Sequence, residues 1–244
     1  MVEIPPVQRK IIDITIPISP SMQVFPGDPR PSIERVCTLE KEGFSLSGLS
    51  LGSHTGTHVD APSHVLDNGQ PVDKLELENL IGKALLLDFT SYSGSLTADI
   101  LEKSFQKTGV SKNIKILLLK TLKTEYSSGK QKNTEETNSQ SEKSNFQDGE
   151  YKEGEPDSVY LEESAAKWII GKGFKTIGVD SFSVDSLHSE NLPVHHILLS
   201  SKVNIVECLD LSSVETGIYF FLCLPLKIEG CDGAPARALL IFYP

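Results

Sequence analysis

His54-Thr55-Gly56-Thr57-His58-Val59-Asp60-Ala61-Pro62-Ser63-His64 gathers three of the chain's six histidines and a carboxylate into one short string. Whether it is helix or strand decides how those groups meet. A spacing of four between His54 and His58 would put both on one helical face, as in helical zinc sites. Thr55, Gly56, Thr57, Val59 and Pro62 are poor helix formers, and together in so short a window they favour extended chain. In a strand alternate side chains share a face, so His54, His58, Asp60 and His64 point the same way. A straight strand would hold the Cα atoms of His54 and His58 about 13 Å apart. One ion, with ligands near ~2 Å, cannot bridge that distance. The chain must bend, and Gly56 is the residue best able to let it. His58 and Asp60, about 7 Å apart on one strand face, converge without distortion. Pro62 ends the strand and sets His64 at the rim of the same pocket, placed for proton transfer instead of coordination. Imidazole and carboxylate at this density read as a site for a divalent metal, zinc first and manganese second. A one-ion catalytic site takes three protein ligands and an open position, and Asp60 can equally bridge two ions if ligands arrive from elsewhere.

The remaining histidines are His188, His195 and His196; His188 reads as an ordinary loop residue. Glu207, in Val203-Asn204-Ile205-Val206-Glu207, shares strand parity with Val203 and Ile205. It should face apolar surroundings, where an unpaired carboxylate is costly and a metal would resolve the cost.

The chain of 244 residues, 39% hydrophobic, suffices for one large domain spanning 1–244. A net charge of -10 argues against nucleic acid or an anionic membrane as partner and favours a small-molecule ligand. The start lacks a basic segment followed by an apolar run, and no stretch reaches transmembrane length, so a cytoplasmic location is expected. Cys37, Cys208, Cys223 and Cys231 form no CxxC pair and read as reduced, mostly buried thiols. Residues 124–157 carry nine acids against four lysines and only three aromatic residues, and are expected to form a polar, flexible insertion: with so little apolar surface the segment cannot offset its ordering entropy.

Strands are expected at Ile11–Ile18, Phe44–Leu51, Ala84–Phe89, Ile114–Leu119, Thr176–Val179, Val203–Leu209, Ile218–Leu224 and Ala238–Phe242. Thr97 reads as the N-cap of a helix carrying Ile100, Leu101 and Phe105, and Leu161–Ile170 as a helix stopped by Gly171 and Gly173. Phe25-Pro26-Gly27-Asp28 reads as a turn. The outcome is a strand-rich α/β chain.

HTGTHVDAPSH resembles the HxGTHxDxPxH signature of the cyclase-like metal-dependent hydrolases, which include bacterial-type kynurenine formamidase and isatin hydrolase. The Phe25-Pro26-Gly27-Asp28 turn, Ile177-Gly178-Val179-Asp180, His195 to Leu199, Glu207 to Leu211 and Asp232 to Arg237 extend the resemblance over nearly the whole chain. It implies a three-layer β/β/α swivelling fold with a strand-rich core. It also implies that His54, His58 and Asp60 bind a first divalent ion, and that Asp60, His195 and Glu207 can bind a second. His195 fits the family's histidine ahead of two leucines, with His196 as the alternative. The family implies a homo-oligomer, dimer or tetramer, with the N-terminal third as a subunit contact.

The expected chemistry is metal-assisted hydrolysis of an amide-type carbonyl, with His64 carrying protons and Phe25 stacking on an aromatic substrate. Arylformamide hydrolysis on an N-formylkynurenine-like substrate ranks first, followed by isatin-type lactam opening and a cyclase reaction. The contrasting class is a non-catalytic metal-binding module; the complete ligand set and the presence of His64 count against it.

Overall fold

Two strand runs, Leu85-Leu86-Leu87 and Ile116-Leu117-Leu118-Leu119, lack polar alternation, so both of their faces must be covered. The computed structural model, which describes residues 10–110, 114–122 and 159–242, shows how. The described elements run β1 (Lys10–Asp13), β2 (Ser32–Cys37), α1 (Leu39–Glu42), β3 (Leu46–Ser50), β4 (His58–Asp60), β5 (Ile81–Asp88), β6 (Ser95–Leu96), α2 (Ala98–Lys107), β7 (Ile116–Lys120), β8 (Tyr160–Leu161), α3 (Glu163–Lys172), β9 (Thr176–Val179), α4 (Pro193–Ser200), β10 (Asn204–Glu207), β11 (Gly217–Pro225) and β12 (Gly233–Phe242). The polar insertion expected at 124–157 lies outside the described residues.

The large sheet has the order β1-β12-β11-β5-β7-β9-β10-β4, and β4 also pairs with β12. That last pairing closes seven of the strands into a ring, with β1 added outside on β12. Strands β5, β7, β9 and β10 are parallel, and α2, α3 and α4 occur in the crossovers that parallel neighbours require. Side-chain alternation then fills two cores. Leu85, Leu87, Leu117, Leu119, Ile177 and Ile205 pack outward under Leu101, Ala165, Ile169 and Leu198 of the helices. Leu86, Ile116, Leu118 and Val206 pack inward against Phe221, Cys223 and Leu240 of the antiparallel half. The closed strand ring and the helices packed over it agree with the strand-rich β/β/α fold that the family resemblance implied. Among the described residues no helix is long and apolar enough to cross a membrane.

Local differences from the sequence reading have physical causes. Of the first expected strand only residues 11–13 are regular, β1 starting at Lys10, because beyond them Thr15 makes a lone bridge to Leu209 and Ile16 N–H turns to the Thr57 hydroxyl. Leu161 belongs to β8, paired beside Leu96, and the helix starts at Glu163; Gly171 stays helical and Gly173 alone ends it in the left-handed region. Helix α4 is an addition to the sequence reading; Pro193 opens it at a position where a missing N–H costs nothing. Thr97 does cap α2, accepting Ile100 N–H. All four cysteines are free, and Cys37 and Cys231 are only half-buried.

Strands β2 and β3 form a separate ribbon. On and between them Ile33, Val36, Leu39, Phe44, Leu46 and Leu49 are exposed.

Candidate metal centre

The three-residue β4 is hydrogen-bonded on both edges, with His58 opposite Glu207 of β10 and Asp60 opposite Gly233 of β12. Cross-strand partners point to the same side of a sheet, so ring closure itself sets His58, Asp60 and Glu207 together. Buried Thr57 anchors the start of β4: its hydroxyl accepts Ile16 N–H and donates to Cys208 C=O at 2.5 Å. Gly56, at φ +65°, makes the bend that strand geometry demanded. It brings the His54 and His58 rings to 4.9 Å between centroids. A Cβ on Gly56 would stand 3.2 Å from Met22 Cε and 3.5 Å from Ile18 Cγ1, so the loop leading to Phe25 packs on this bend. The Phe25 turn forms as read, with Asp28 N–H donating to Phe25 C=O.

Helix α4 supplies His195, which is 2% exposed, whereas His196 is exposed. His195 Nε2 lies 3.4 Å from Asp60 Oδ2 and 3.3 Å from Glu207 Oε1. His58 Nε2 lies 3.3 Å from Asp60 Oδ1 and 3.5 Å from Glu207 Oε2. His54 Nδ1 is 2.8 Å from Asp60 Oδ1. Five side chains from β4, its preceding bend, α4 and β10 thus converge. Asp60, wholly buried, stands between two triads, His54-His58-Asp60 and Asp60-His195-Glu207, each of whose candidate ligand atoms lie within 4.8 Å of one another.

The outer nitrogen of each imidazole has an acceptor. His58 Nδ1 donates to Gly56 C=O at 2.7 Å, and His195 Nδ1 to Asp185 Oδ2 at 2.7 Å. His54 Nε2 faces Asp232 Oδ2 at 2.9 Å. A neutral imidazole has one N–H and one lone pair, so these contacts turn the lone pairs of His58 and His195 toward carboxylate oxygens, while His54, with a carboxylate at each nitrogen, presents its lone pair to one of the two. With the rings neutral that arrangement is repulsive, and either a metal cation between the groups or protons on the imidazoles relieves it. Two of its atoms, His58 Nε2 and Asp60 Oδ2, are buried with no hydrogen-bond partner. Burial opposes charge on His58 and His195, yet the adjoining carboxylates outweigh it and raise both well above the ordinary histidine value. Burial likewise opposes charge on Asp60, and the imidazoles beside it hold its carboxyl well below the usual range. The donor set of three nitrogens and two carboxylates matches a divalent transition ion.

Pro62 does end β4, opening a single 3-10 turn over Pro62–His64. This turn leaves His64 partly exposed, 4.2 Å from the His54 ring and 5.6 Å from that of His195. Burial lowers its pKa, and the charges of Asp60 and Glu207, which pull the other way, are offset in part by those of His54 and His195.

Two acids that the sequence did not single out complete the site. Asp185 accepts Val194 N–H, His195 N–H and His195 Nδ1–H, fastening the first turn of α4 and the ring it carries. No spacing could reveal it, since it works across the loop between β9 and α4. Asp232 stood inside a block quoted for family resemblance; its only local signal is its place just before β12.

Residues 12–186 match the family model Cyclase, described as "Putative cyclase". The chain belongs to this family. A cyclase-like protein 2 from Oryza sativa subsp. japonica is 33% identical over 96% of this chain and 79% of its own length. A kynurenine formamidase from Salinibacter ruber is 34% identical over 94% and 96%. A solved structure of a potential metal-dependent hydrolase with cyclase activity superposes with a TM-score of 0.71 at 27% identity, covering 97% of this chain and all of that one. The cyclase fold therefore accounts for both the closed sheet and the position of the histidine string.

Proposed function

We propose that this cyclase-family chain is a metal-dependent hydrolase of amide-type carbonyl compounds, an arylformamidase acting on N-formylkynurenine-like substrates. The observation that carries the reading is the pair of buried, unpartnered atoms His58 Nε2 and Asp60 Oδ2 at the junction of two ligand triads. His54, His58 and Asp60 would hold one divalent ion, zinc first and manganese second, and Asp60, His195 and Glu207 a second. Such an ion supplies a Lewis acid that polarises the substrate carbonyl and acidifies water. His64, at the mouth of the site, accepts a proton from water and returns one to the leaving nitrogen. Phe25, half-buried on the loop that packs against Gly56, stacks on the aryl group. Similarity to a kynurenine formamidase at 34% identity supports a formamide over other amides as the substrate.

The test is a pair of variants assayed on N-formyl-arylamines, with isatin and simple lactones as competitors. His64→Ala retains its metal and loses turnover by about 10²-fold or more, the usual contribution of a positioned acid-base group. Asp60→Ala loses both metal and turnover. A His64→Ala enzyme with wild-type kcat sinks the assignment. The small-molecule reading also includes a homo-oligomer in which the exposed apolar ribbon of β2 and β3 packs on a second copy. A two-stranded ribbon is marginal alone, and sedimentation would show a dimer or tetramer.

A further inference from the structure

Asp232 touches both the ligand His54 and the proton carrier His64, yet the reaction as described gives it nothing to do. We propose that Asp232 is a positioning residue that ties these two histidines together, an inference that rests on the hydrolase reading of the same site.

Its carboxylate is placed by sheet register. Ala61 N–H donates to Asp232 C=O at 2.9 Å, and the next residue, Gly233, pairs with Asp60. Oδ2 then lies 2.9 Å from His54 Nε2 and 3.6 Å from His64 Nδ1, with the Ser53 hydroxyl donating to it at 3.4 Å. Oδ1 accepts from the Cys231 thiol at 3.5 Å. One oxygen thus sits at the edges of two imidazoles whose planes are tilted by 41°. Gly233 is shaped to the same ring: a Cβ there would stand 2.9 Å from His54 Cε1 and 3.2 Å from its Nε2. His54 lies on bare backbone with its far nitrogen held by the preceding residue.

Asp232, His54 and His64 could themselves be taken for a ligand triad. The chemistry of His54 argues otherwise. Its Nδ1 faces Asp60 Oδ1, the side on which the other ligands converge, so with an ion held there, as in the hydrolase reading, its single N–H belongs on Nε2. An N–H is a donor to Asp232 and leaves no lone pair there for a cation. By fixing this tautomer Asp232 aims the opposite lone pair inward, the service that Asp185 performs for His195. By drawing His64 Nδ1 toward the same oxygen it leaves His64 Nε2 directed away from the carboxylate, free to exchange protons.

The experiment compares full-length wild type, Asp232→Ala and Asp232→Asn. Zinc affinity is measured by chelator competition, bound zinc by elemental analysis, and kcat and KM on an N-formyl-arylamine. For Asp232→Ala the zinc dissociation constant rises about 10–100-fold, as expected on losing a group that orients a metal ligand. With saturating zinc, kcat falls by about tenfold or more while KM stays within about threefold, the signature of a loss in the reacting complex. Asp232→Asn keeps an oxygen that accepts the His54 N–H and restores most of the zinc affinity, which a general folding defect would not do. Two results overturn the proposal: loss of one bound zinc equivalent in Asp232→Ala, which would make Asp232 a ligand, or zinc affinity and kcat both at wild-type values. If wild type cleaves no formamide, the hydrolase reading fails on its own, and zinc affinity still decides whether Asp232 positions His54.

Discussion

Replacing Asp185 by alanine tests whether one buried carboxylate in the loop before α4 both starts that helix and aims a ligand. Leu192, at the N-cap of α4, makes no side-chain cap, and Pro193 has no N–H. The next two amides, Val194 and His195, both donate to Asp185, at 2.9 and 3.0 Å. Its removal deletes the cap, worth about 0.5–2 kcal/mol. It also leaves the buried His195 Nδ1–H without an acceptor, at about 1–3 kcal/mol. The sum is about 3 kcal/mol, and at about 2–4 °C per kcal/mol for a domain of this size the melting temperature falls by about 10 °C. Freed from Asp185, His195 no longer holds its lone pair inward, so zinc affinity drops by about 10–100-fold. Calorimetry of the metal-free protein and chelator competition read the two effects separately. A melting temperature within about 2 °C of wild type, together with unchanged zinc affinity, would refute the reasoning.

Gly178→Ala puts a Cβ 2.6 Å from Leu118 Cδ2 and 2.8 Å from Leu209 Cδ1 inside the ring. Overpacking of this kind costs about 1–3 kcal/mol, and urea melts should show it; a neutral result would mean the ring interior has slack. Asp180, which accepts Thr121 N–H, Thr121 O–H and Leu122 N–H, is raised by burial to about 6, those hydrogen bonds only partly offsetting the effect. A raised carboxyl stabilises the fold fully below its unfolded value near ~4, and that contribution is lost as pH rises through ~6, in total about 3 kcal/mol. Against Asp180→Asn, which does not titrate, wild type should therefore lose about 3 kcal/mol between about pH 3 and pH 7; a pH-independent difference contradicts this.

The string at 54–64 was readable because its constraints are local. Poor helix formers and strand parity put His58 and Asp60 on one face, and the limited reach of extended chain required Gly56 to bend. Glu207 was readable because an acid in register with Val203 and Ile205 has to be compensated. The closure of the ring was not readable, since it depends on β4 finding β12 and β10 at once, and pairings between distant short strands leave no periodic trace. Helix α4 was missed for a related reason: its cap comes from Asp185 across a loop instead of from a neighbouring Ser, Thr or Asp. The choice between His195 and His196 came from family resemblance, and the fold shows its physical basis, one buried over the carboxylates and the other facing outward. Asp232 acts through a ring that only the folded register brings to it.

Metal removal and restoration test the central claim most directly. Exhaustive chelation of the purified chain should abolish cleavage of N-formyl-arylamines, and adding back zinc or manganese should restore it in proportion to metal bound, with one or two equivalents per chain. Undiminished turnover by protein shown to contain no metal would contradict the account.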